Sequence, residues 1–312
     1  MKILVTGIGG DIGNGIGRIL KNSPFVSRLI GCDIHDNHAG RFVFDECLVV
    51  PKATAAGYAE AVQEQVARLG LDAVIATSEP ELRFLAGRAA AGAPVTLPFV
   101  MANQTAMEVG FDKLATAEFI AGLGCPAPWT RLVSAGEPES LPCILKSRTG
   151  AGSLGVSLVR DPALVPAYQA LFPDHIWQEY MPDDENEYTC GVYGCADGEI
   201  RTIVLRRRLV SGVTGYAQLV RHEGIEALCV TVAKALQLRG SINIQLRLGP
   251  AGPMIFEINP RFSSSVVFRH KLGFQDLVWS LQEQILGKKT VCEMTGKPGA
   301  QVYRTFDEII CP

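Results

Sequence analysis

Between residues 241 and 265 the chain reads SINIQLRLGPAGPMIFEINPRFSSS, a run that gathers amide and carboxylate oxygens beside an arginine. The GPAGP segment is a turn. Folding the chain about Ala251 sets Gln245 opposite Glu257 and Asn243 opposite Asn259. Side chains alternate along a strand, so this register makes two contrasting faces. Ile242, Ile244, Leu246, Met254, Phe256 and Ile258 share an apolar one, and Asn243, Gln245, Arg247, Glu257 and Asn259 share the other. A merely solvated face would carry Lys, Glu and Thr. Hard oxygen donors instead suit Mg²⁺ or Mn²⁺ together with phosphate oxygens and water. Arg261 would stand where a transferring phosphoryl group gathers charge. The pattern points to a metal–phosphate site on Gln245, Glu257 and Asn259, with an ordinary polar sheet face as the alternative.

Other stretches could also meet phosphate. In CILKSRTGAGSLGV, residues 143–156, Lys146 precedes a glycine-rich loop from Gly150 to Gly155. Small residues let backbone N–H groups approach oxyanions, and the lysine adds charge. A plain hairpin turn reads the same loop equally well. In IRTIVLRRRLVSGVTG, residues 200–215, alternation puts Arg206 and Arg208 on one strand face and Arg207 on the other. We assign Arg208 to phosphate or to a substrate carboxylate. Near the start, VTGIGGDIGNGIG is followed by LIGCDIH, which contains Asp33. A strand, a glycine turn, a helix and a second strand ending in an acid is how a dinucleotide-binding unit begins. The same glycines permit a tight turn with free N–H groups at a helix N-terminus.

These residues need elements to hold them. Up to about residue 104, the apolar runs KILVTG, RLIGCD, ECLVVP, DAVIAT and TLPFVM alternate with candidate helices over 14–21, 58–69 and 80–90. That alternation predicts a parallel, doubly wound α/β sheet. After Gly110, FDKLATAEFIAGLG reads as a helix with Asp112 near its start. Eight strand-like runs follow, from PCILKS to PMIFEIN, with one helix over 224–238, and predict a largely antiparallel α+β region.

Composition narrows the class. Hydrophobic residues make up 47% and charged ones 20%, with a net charge of −3, so we expect a folded core and no nucleic-acid partner. The nine cysteines are odd in number and form no CxxC pair, which predicts free thiols in a reducing cytoplasm. No apolar run reaches the roughly 18 residues of a membrane helix, and the N-terminus lacks a signal-peptide pattern. We expect no membrane partner.

The hairpin IQLRLGPAGPMIFEINPRFSSS closely resembles the metal-binding hairpin of the ATP-grasp superfamily, in particular the carbamoyl phosphate synthetase large-chain type. That motif pairs a Gln or Glu with Glu-x-Asn-Pro-Arg, and the resemblance extends over about residues 105–312. It implies a Rossmann-like pre-ATP-grasp domain over 1–106 and an ATP-grasp domain over 107–312. The latter would divide into a smaller nucleotide-covering part, about 107–180, and a larger metal-binding part, about 181–312. FDKLATAEFIAGLGCPAP is similar to the family's entry helix, which implies Lys113 on nucleotide phosphates. CILKSRTGAGSLGV looks like its strand and lid loop, which implies Lys146, Gly152, Ser153 and Gly155 on phosphate. IWQEYMPDDENEYTC resembles its linker, with Gln178, Glu179, Tyr180 and Met181 at adenine and Glu187 on the ribose.

The activity so implied uses ATP and Mg²⁺. A substrate carboxylate attacks the γ-phosphate, and an amine or other nucleophile displaces phosphate from the acyl phosphate. Arg261, Lys146 and Arg208 would act on the transferring group. Gly9, Gly10, Glu79 or Glu81, and Ser263, Ser264 and Ser265 would meet the substrates, with Arg269 and His270 as further candidates. One ATP-grasp unit is present, so carboxylate–amine ligation of small molecules is expected rather than carbamoyl phosphate synthesis. Homodimers are common in the superfamily. Two rivals remain open. TGIGGDIG also resembles the glycine loop of short-chain dehydrogenases and sugar-nucleotide epimerases, which implies an NAD(P)-dependent reductase or epimerase. Such enzymes pair a tyrosine with a lysine four residues on, and no tyrosine here is so followed. The other rival is an ATP-binding module without turnover.

Overall fold

A computed structural model describes residues 1–150, 155–182, 186–249, 252–290 and 294–305. Five parallel strands come first: β1 (Lys2–Thr6), β2 (Arg28–Asp33), β3 (Glu46–Val49), β4 (Ala73–Ile75) and β5 (Phe99–Val100). Their order is β3-β2-β1-β4-β5. Helices α1 (Asp11–Leu20), α2 (Tyr58–Leu69) and α3 (Glu79–Ala90) connect them, so the alternation predicted from sequence is observed. The order reverses beside β1, and a crevice opens there at the strand C-termini.

Helix α4 (Gln104–Gly110) runs through residue 106, and α5 (Lys113–Gly122) follows it. Four short antiparallel strands come next: β6 (Thr130–Leu132), β7 (Cys143–Ser147), β8 (Ser157–Val159) and β9 (His175–Glu179). They form a sheet ordered β6-β9-β7-β8, packed on α6 (Val165–Leu171) through Val165. The third sheet holds β10 (Glu187–Gly194), β11 (Ile200–Val210), β12 (Val213–Val220), β13 (Gly240–Gly249), β14 (Gly252–Asn259) and β15 (Gln301–Tyr303). Its order is β14-β13-β10-β11-β12-β15, all antiparallel. Helix α7 (Glu223–Ala235) buries Ile225, Cys229 and Val232 against one face of this sheet.

The register expected for the β13–β14 hairpin is present, with Asn243 opposite Asn259 and Gln245 opposite Glu257. Beyond that pair a β-bulge shifts the ladder, so Leu246 faces Ile255. This corrects the expected apolar face. The extra residue reverses alternation: Ile255 joins the core beside Ile244 and Ile258, and Phe256 lines a cavity with Glu257.

Helices α8 (Val266–Lys271) and α9 (Asp276–Ser280) lock the halves together. Phe262, Val266 and Leu277 share one apolar cluster with Ile3, Val5 and Ile16 of the first sheet and α1. Beneath α8, Arg269 and Asp276 form a buried ion pair, Nη2 to Oδ2 at 3.0 Å, and Ser241 donates to the same carboxylate oxygen at 2.5 Å. Space for the guanidinium comes from Gly191, where a Cβ would lie 2.5 Å from Arg269 Cδ. Arg269 therefore serves the core, which corrects its expected substrate role. Breaking such a pair strands a buried charge. Asp276→Ala should lower unfolding stability by about 3–5 kcal/mol in urea titration. The double variant Arg269→Met, Asp276→Leu should lose less.

Candidate active site

Asp112 caps α5, its Oδ1 accepting from the N–H groups of Leu114 at 2.9 Å and Ala115 at 3.3 Å. The cap fixes where Lys113 enters the helix. Lys113 Nζ donates to the Gly150 carbonyl at 2.6 Å and lies 4.0 Å from Glu257 Oε1. Lys146 extends from β7 and is only 7% exposed. Its Nζ donates to Gln178 Oε1 at 2.7 Å, and Gln178 Nε2 donates in turn to Thr130 Oγ1 at 3.0 Å. Burial, aided by the charges of Lys113 and Arg247, lowers the Lys146 ammonium to about 8 against the pull of Glu257.

Lys113, Lys146, Gly150 and Gln178 line a cavity of about 560 Å³ together with Glu179, Tyr180, Met181, Glu187, Gln245 and Glu257. A second cavity of about 470 Å³ shares Arg207, Leu209, Gln245 and Glu257 with the first. It adds Gly10, Asn259, Arg261, Ser263 and Ser264, so the hairpin stands as the wall between the two.

Arg207 is the site residue that sequence reading missed. It is buried, donates to Glu187 Oε1 from Nε at 2.9 Å and Nη2 at 2.7 Å, and reaches Gln245 Oε1 at 2.7 Å. Arg208 is corrected accordingly. It stacks over Tyr216 with 5.7 Å from Cζ to the ring centroid and lines neither cavity. The physical reason is register: Leu205 pairs with Thr189, which pairs with Gln245, so Arg207, two residues along, shares their face. A signal for this was present. Asp197-Gly198 is a turn dipeptide, and folding β10 and β11 about Asp197 sets Arg207 opposite Glu187.

The remaining candidates are engaged in several ways. Glu187, expected at ribose hydroxyls, accepts from both Arg207 and Arg247, the latter at 2.7 Å from Nη2, so its oxygens are engaged within the protein. The amide oxygen of Gln245 is likewise taken by Arg207. Of the three residues expected to hold a metal, Glu257 and Asn259 line the second cavity beside Asp11 and Asp33, with Asn259 Oδ1 accepting from Arg261 Nη2 at 3.2 Å. Carboxylate and amide oxygens on one strand edge fit a divalent cation such as Mg²⁺. Ser263 and Ser265 are buried and 2.9 Å apart at their hydroxyls, and Ser263 also donates to Asn243 at 3.0 Å. Ser264 lines the second cavity and bonds Thr214. Gly155 is exposed, while Gly152 and Ser153 lie outside the described residues.

In the first sheet, Gly13 packs so closely on the turn that a Cβ would lie 2.4 Å from the Gly7 carbonyl oxygen. Gly9 donates its N–H to Asp33 Oδ2 at 2.7 Å. Glu79 accepts from Arg83 at 2.8 Å and from the Gly150 N–H at 3.1 Å. Glu81 is buried and bonded to Thr6 and Tyr58, and burial raises its carboxyl above the usual range.

Compared with solved structures, the chain superposes on N5-carboxyaminoimidazole ribonucleotide synthetase from Thermus thermophilus with a TM-score of 0.72 at 21% identity, covering 96% of this chain and 81% of that one. It superposes on an L-amino acid ligase from Bacillus licheniformis with a TM-score of 0.64 at 17% identity, covering 90% and 74%. The chain has the ATP-grasp fold. A family profile described as ATP-grasp in the biosynthetic pathway with Ter operon matches residues 171–304 of this chain. D-alanine–D-alanine ligase of Mycolicibacterium vanbaalenii is 26% identical over 199 residues, 52% of this chain and 54% of the relative. The ATP-grasp chain thus spans about half the length of the curated relatives it matches. Among the described residues, no helix is long and apolar enough to cross a membrane.

Because the Lys146 ammonium loses its proton near pH 8, affinity for Mg-ATP should fall as pH rises through about 8, and Lys146→Arg should remove that step in a fluorescent-nucleotide titration. The same depressed value makes unfolding stability rise with pH between about 8 and the unfolded lysine range, since the unfolded chain there binds more protons. In steady-state assays of ADP release, Arg207→Met should lower kcat/KM by about 100-fold, while Arg208→Met should stay within about twofold.

Proposed function

We propose that this protein is an ATP-dependent, ADP-forming ligase that joins a small-molecule carboxylate to an amine or another nucleophile through an acyl phosphate. The observation that carries the reading is the shared wall between the cavities. Glu257 and Arg207 face both, Lys113 and Lys146 face the first, and Asn259 and Arg261 face the second.

In this reading the first cavity holds ATP. Ile144, Phe256 and Met181 offer apolar surface to adenine, and Lys113 and Lys146 neutralise its phosphates. Glu257 and Asn259 would hold Mg²⁺, which when bound supplies charge neutralisation on phosphate oxygens. The substrate carboxylate, in the second cavity, attacks the γ-phosphorus. The bond to the bridging oxygen breaks, and ADP leaves with that electron pair. Arg207 and Arg261 stabilise the equatorial oxygens where charge gathers. The nucleophile then attacks the acyl carbon, loses its proton and expels inorganic phosphate. Positioning two reactants and excluding water from the acyl phosphate are the main tasks left to the chain.

The test is ADP release with Mg-ATP, a panel of carboxylates, and hydroxylamine as a general nucleophile. ADP with a matching hydroxamate for one acid is the expected result, and Glu257→Ala should reduce both by about 100-fold or more. ADP without hydroxamate for every acid would replace the ligase by a kinase. Nucleotide binding without acid-dependent ADP would leave a binding module.

A further inference from the structure

The second cavity continues across the C-terminal edge of the first sheet into a pocket of about 290 Å³, joined through Gly7, Asp33 and Ser78. Its walls are mostly apolar, with Val50, Pro51, Ala53 and Tyr58 among them, and the exposed Lys52 stands at the rim. The carboxylates around this extended cleft are nearly all spoken for. Asp11 pairs with Arg304, Glu79 with Arg83, and Glu257 lies beside Lys113. Glu81 is 2% exposed and bonded to two hydroxyls. Asp33 differs. Its oxygens accept only from backbone N–H groups, Gly9 at 2.7 Å and Ile34 at 2.7 Å, and among the described residues it has no ion pair.

The two N–H groups fix the Asp33 carboxylate where both the second cavity and the apolar pocket open onto it. A carboxylate so held keeps lone pairs free for a donor, and an unpaired negative charge repels a phosphate. Asp11, paired with Arg304, occupies the start of α1, the position a dinucleotide's phosphates would require. Cations suit this end of the cleft, and the cationic group must be small enough to leave an apolar remainder in the pocket.

We propose that this pocket binds an amine on a compact apolar body, its ammonium against Asp33 and its apolar part between Val50, Pro51, Ala53 and Tyr58. On the ligase reading above, that molecule is the nucleophilic partner; the binding itself requires no turnover. Burial of the apolar part supplies affinity, and the ion pair supplies selection.

The test uses the full chain without nucleotide and saturation-transfer NMR at neutral pH. The probes are isoamylamine, isoamyl alcohol as its neutral isostere, isovalerate as an anion, and adenosine as a vicinal diol. Isoamylamine should bind at least about tenfold more tightly than the alcohol, with no isovalerate binding. Asp33→Asn should cost about tenfold in amine affinity and leave Mg-ATP affinity unchanged. Ala53→Phe, which fills the pocket from its apolar wall, should weaken isoamylamine and spare methylamine, an added probe with no apolar body to place there; it also serves if Asp33→Asn does not fold. Equal binding of alcohol and amine, or amine binding that survives both substitutions, would overturn the proposal. Adenosine binding lost in Asp33→Asn would also overturn it, in favour of a ribose-reading carboxylate. Because nucleotide is absent, failure here is separate from failure of the hydroxylamine assay.

Discussion

A buried guanidinium ties the central sheet together where the two cavities meet. Arg207 of β11 bonds Glu187 of β10 and Gln245 of β13, and Arg247 closes on Glu187 from the other side. Two cations and one carboxylate, largely withdrawn from water, are tolerated only with close geometry and satisfied donors. That requirement pins three strands in one register. The register in turn aims Glu257 and Asn259 at the wall between the cavities. The site's geometry therefore depends on a network in which Glu187 and Gln245 act as holders of Arg207.

The surplus of positive charge is the second constraint. Lys113, Lys146, Arg207 and Arg247 all face the first cavity, against Glu179, Glu187 and Glu257. Part of that charge is held at a cost, since burial lowers the Lys146 ammonium to about 8. A polyanion entering the cavity would relieve the repulsion between these cations and strengthen the lysine's hold on its proton. This is a physical reason for a phosphate-bearing ligand that depends on no single contact. Across the glycine turn the balance changes: Asp11 is paired with Arg304, while Asp33 has no ion pair among the described residues. One continuous cleft thus runs from a cationic end to one where the Asp33 carboxylate stands.

What sets those ends face to face is a shared core. Phe262, Val266 and Leu277, which follow the β13–β14 hairpin in sequence, pack against Ile3 and Val5 of the first sheet and Ile16 of α1. The turn carrying Ser263 and Ser264 is thereby brought beside the glycine turn, and Arg304 bridges Asp11 to the Ser264 carbonyl. Residues far apart in sequence, the glycine turn and the Ser263–Ser264 turn, line one cavity because hydrophobic burial leaves these two layers no independent positions.

Sequence alone determined the element order and the two sheet types. Glycine and proline punctuation with alternating apolar runs marked strands and helices, since local propensity and side-chain period act over a few residues. It also determined that β13 and β14 pair as neighbours across a short turn, and it matched Asn243 with Asn259 and Gln245 with Glu257, although the pairs nearer the turn stand one residue off; it named Lys113, Lys146, Glu257 and Asn259, which line the two cavities. Tertiary structure decided the rest. The bulge that turns Phe256 into the cavity inserts one residue for reasons of packing, which no alternation pattern encodes. The choice of Arg207 over Arg208 required the pairing of β11 with β10, a contact between separate strands. That Asp33 has no ion pair among the described residues, while Asp11 and Glu257 gain one, depends on partners far away in sequence. Composition lists the charges, but only the packed chain determines which of them meet.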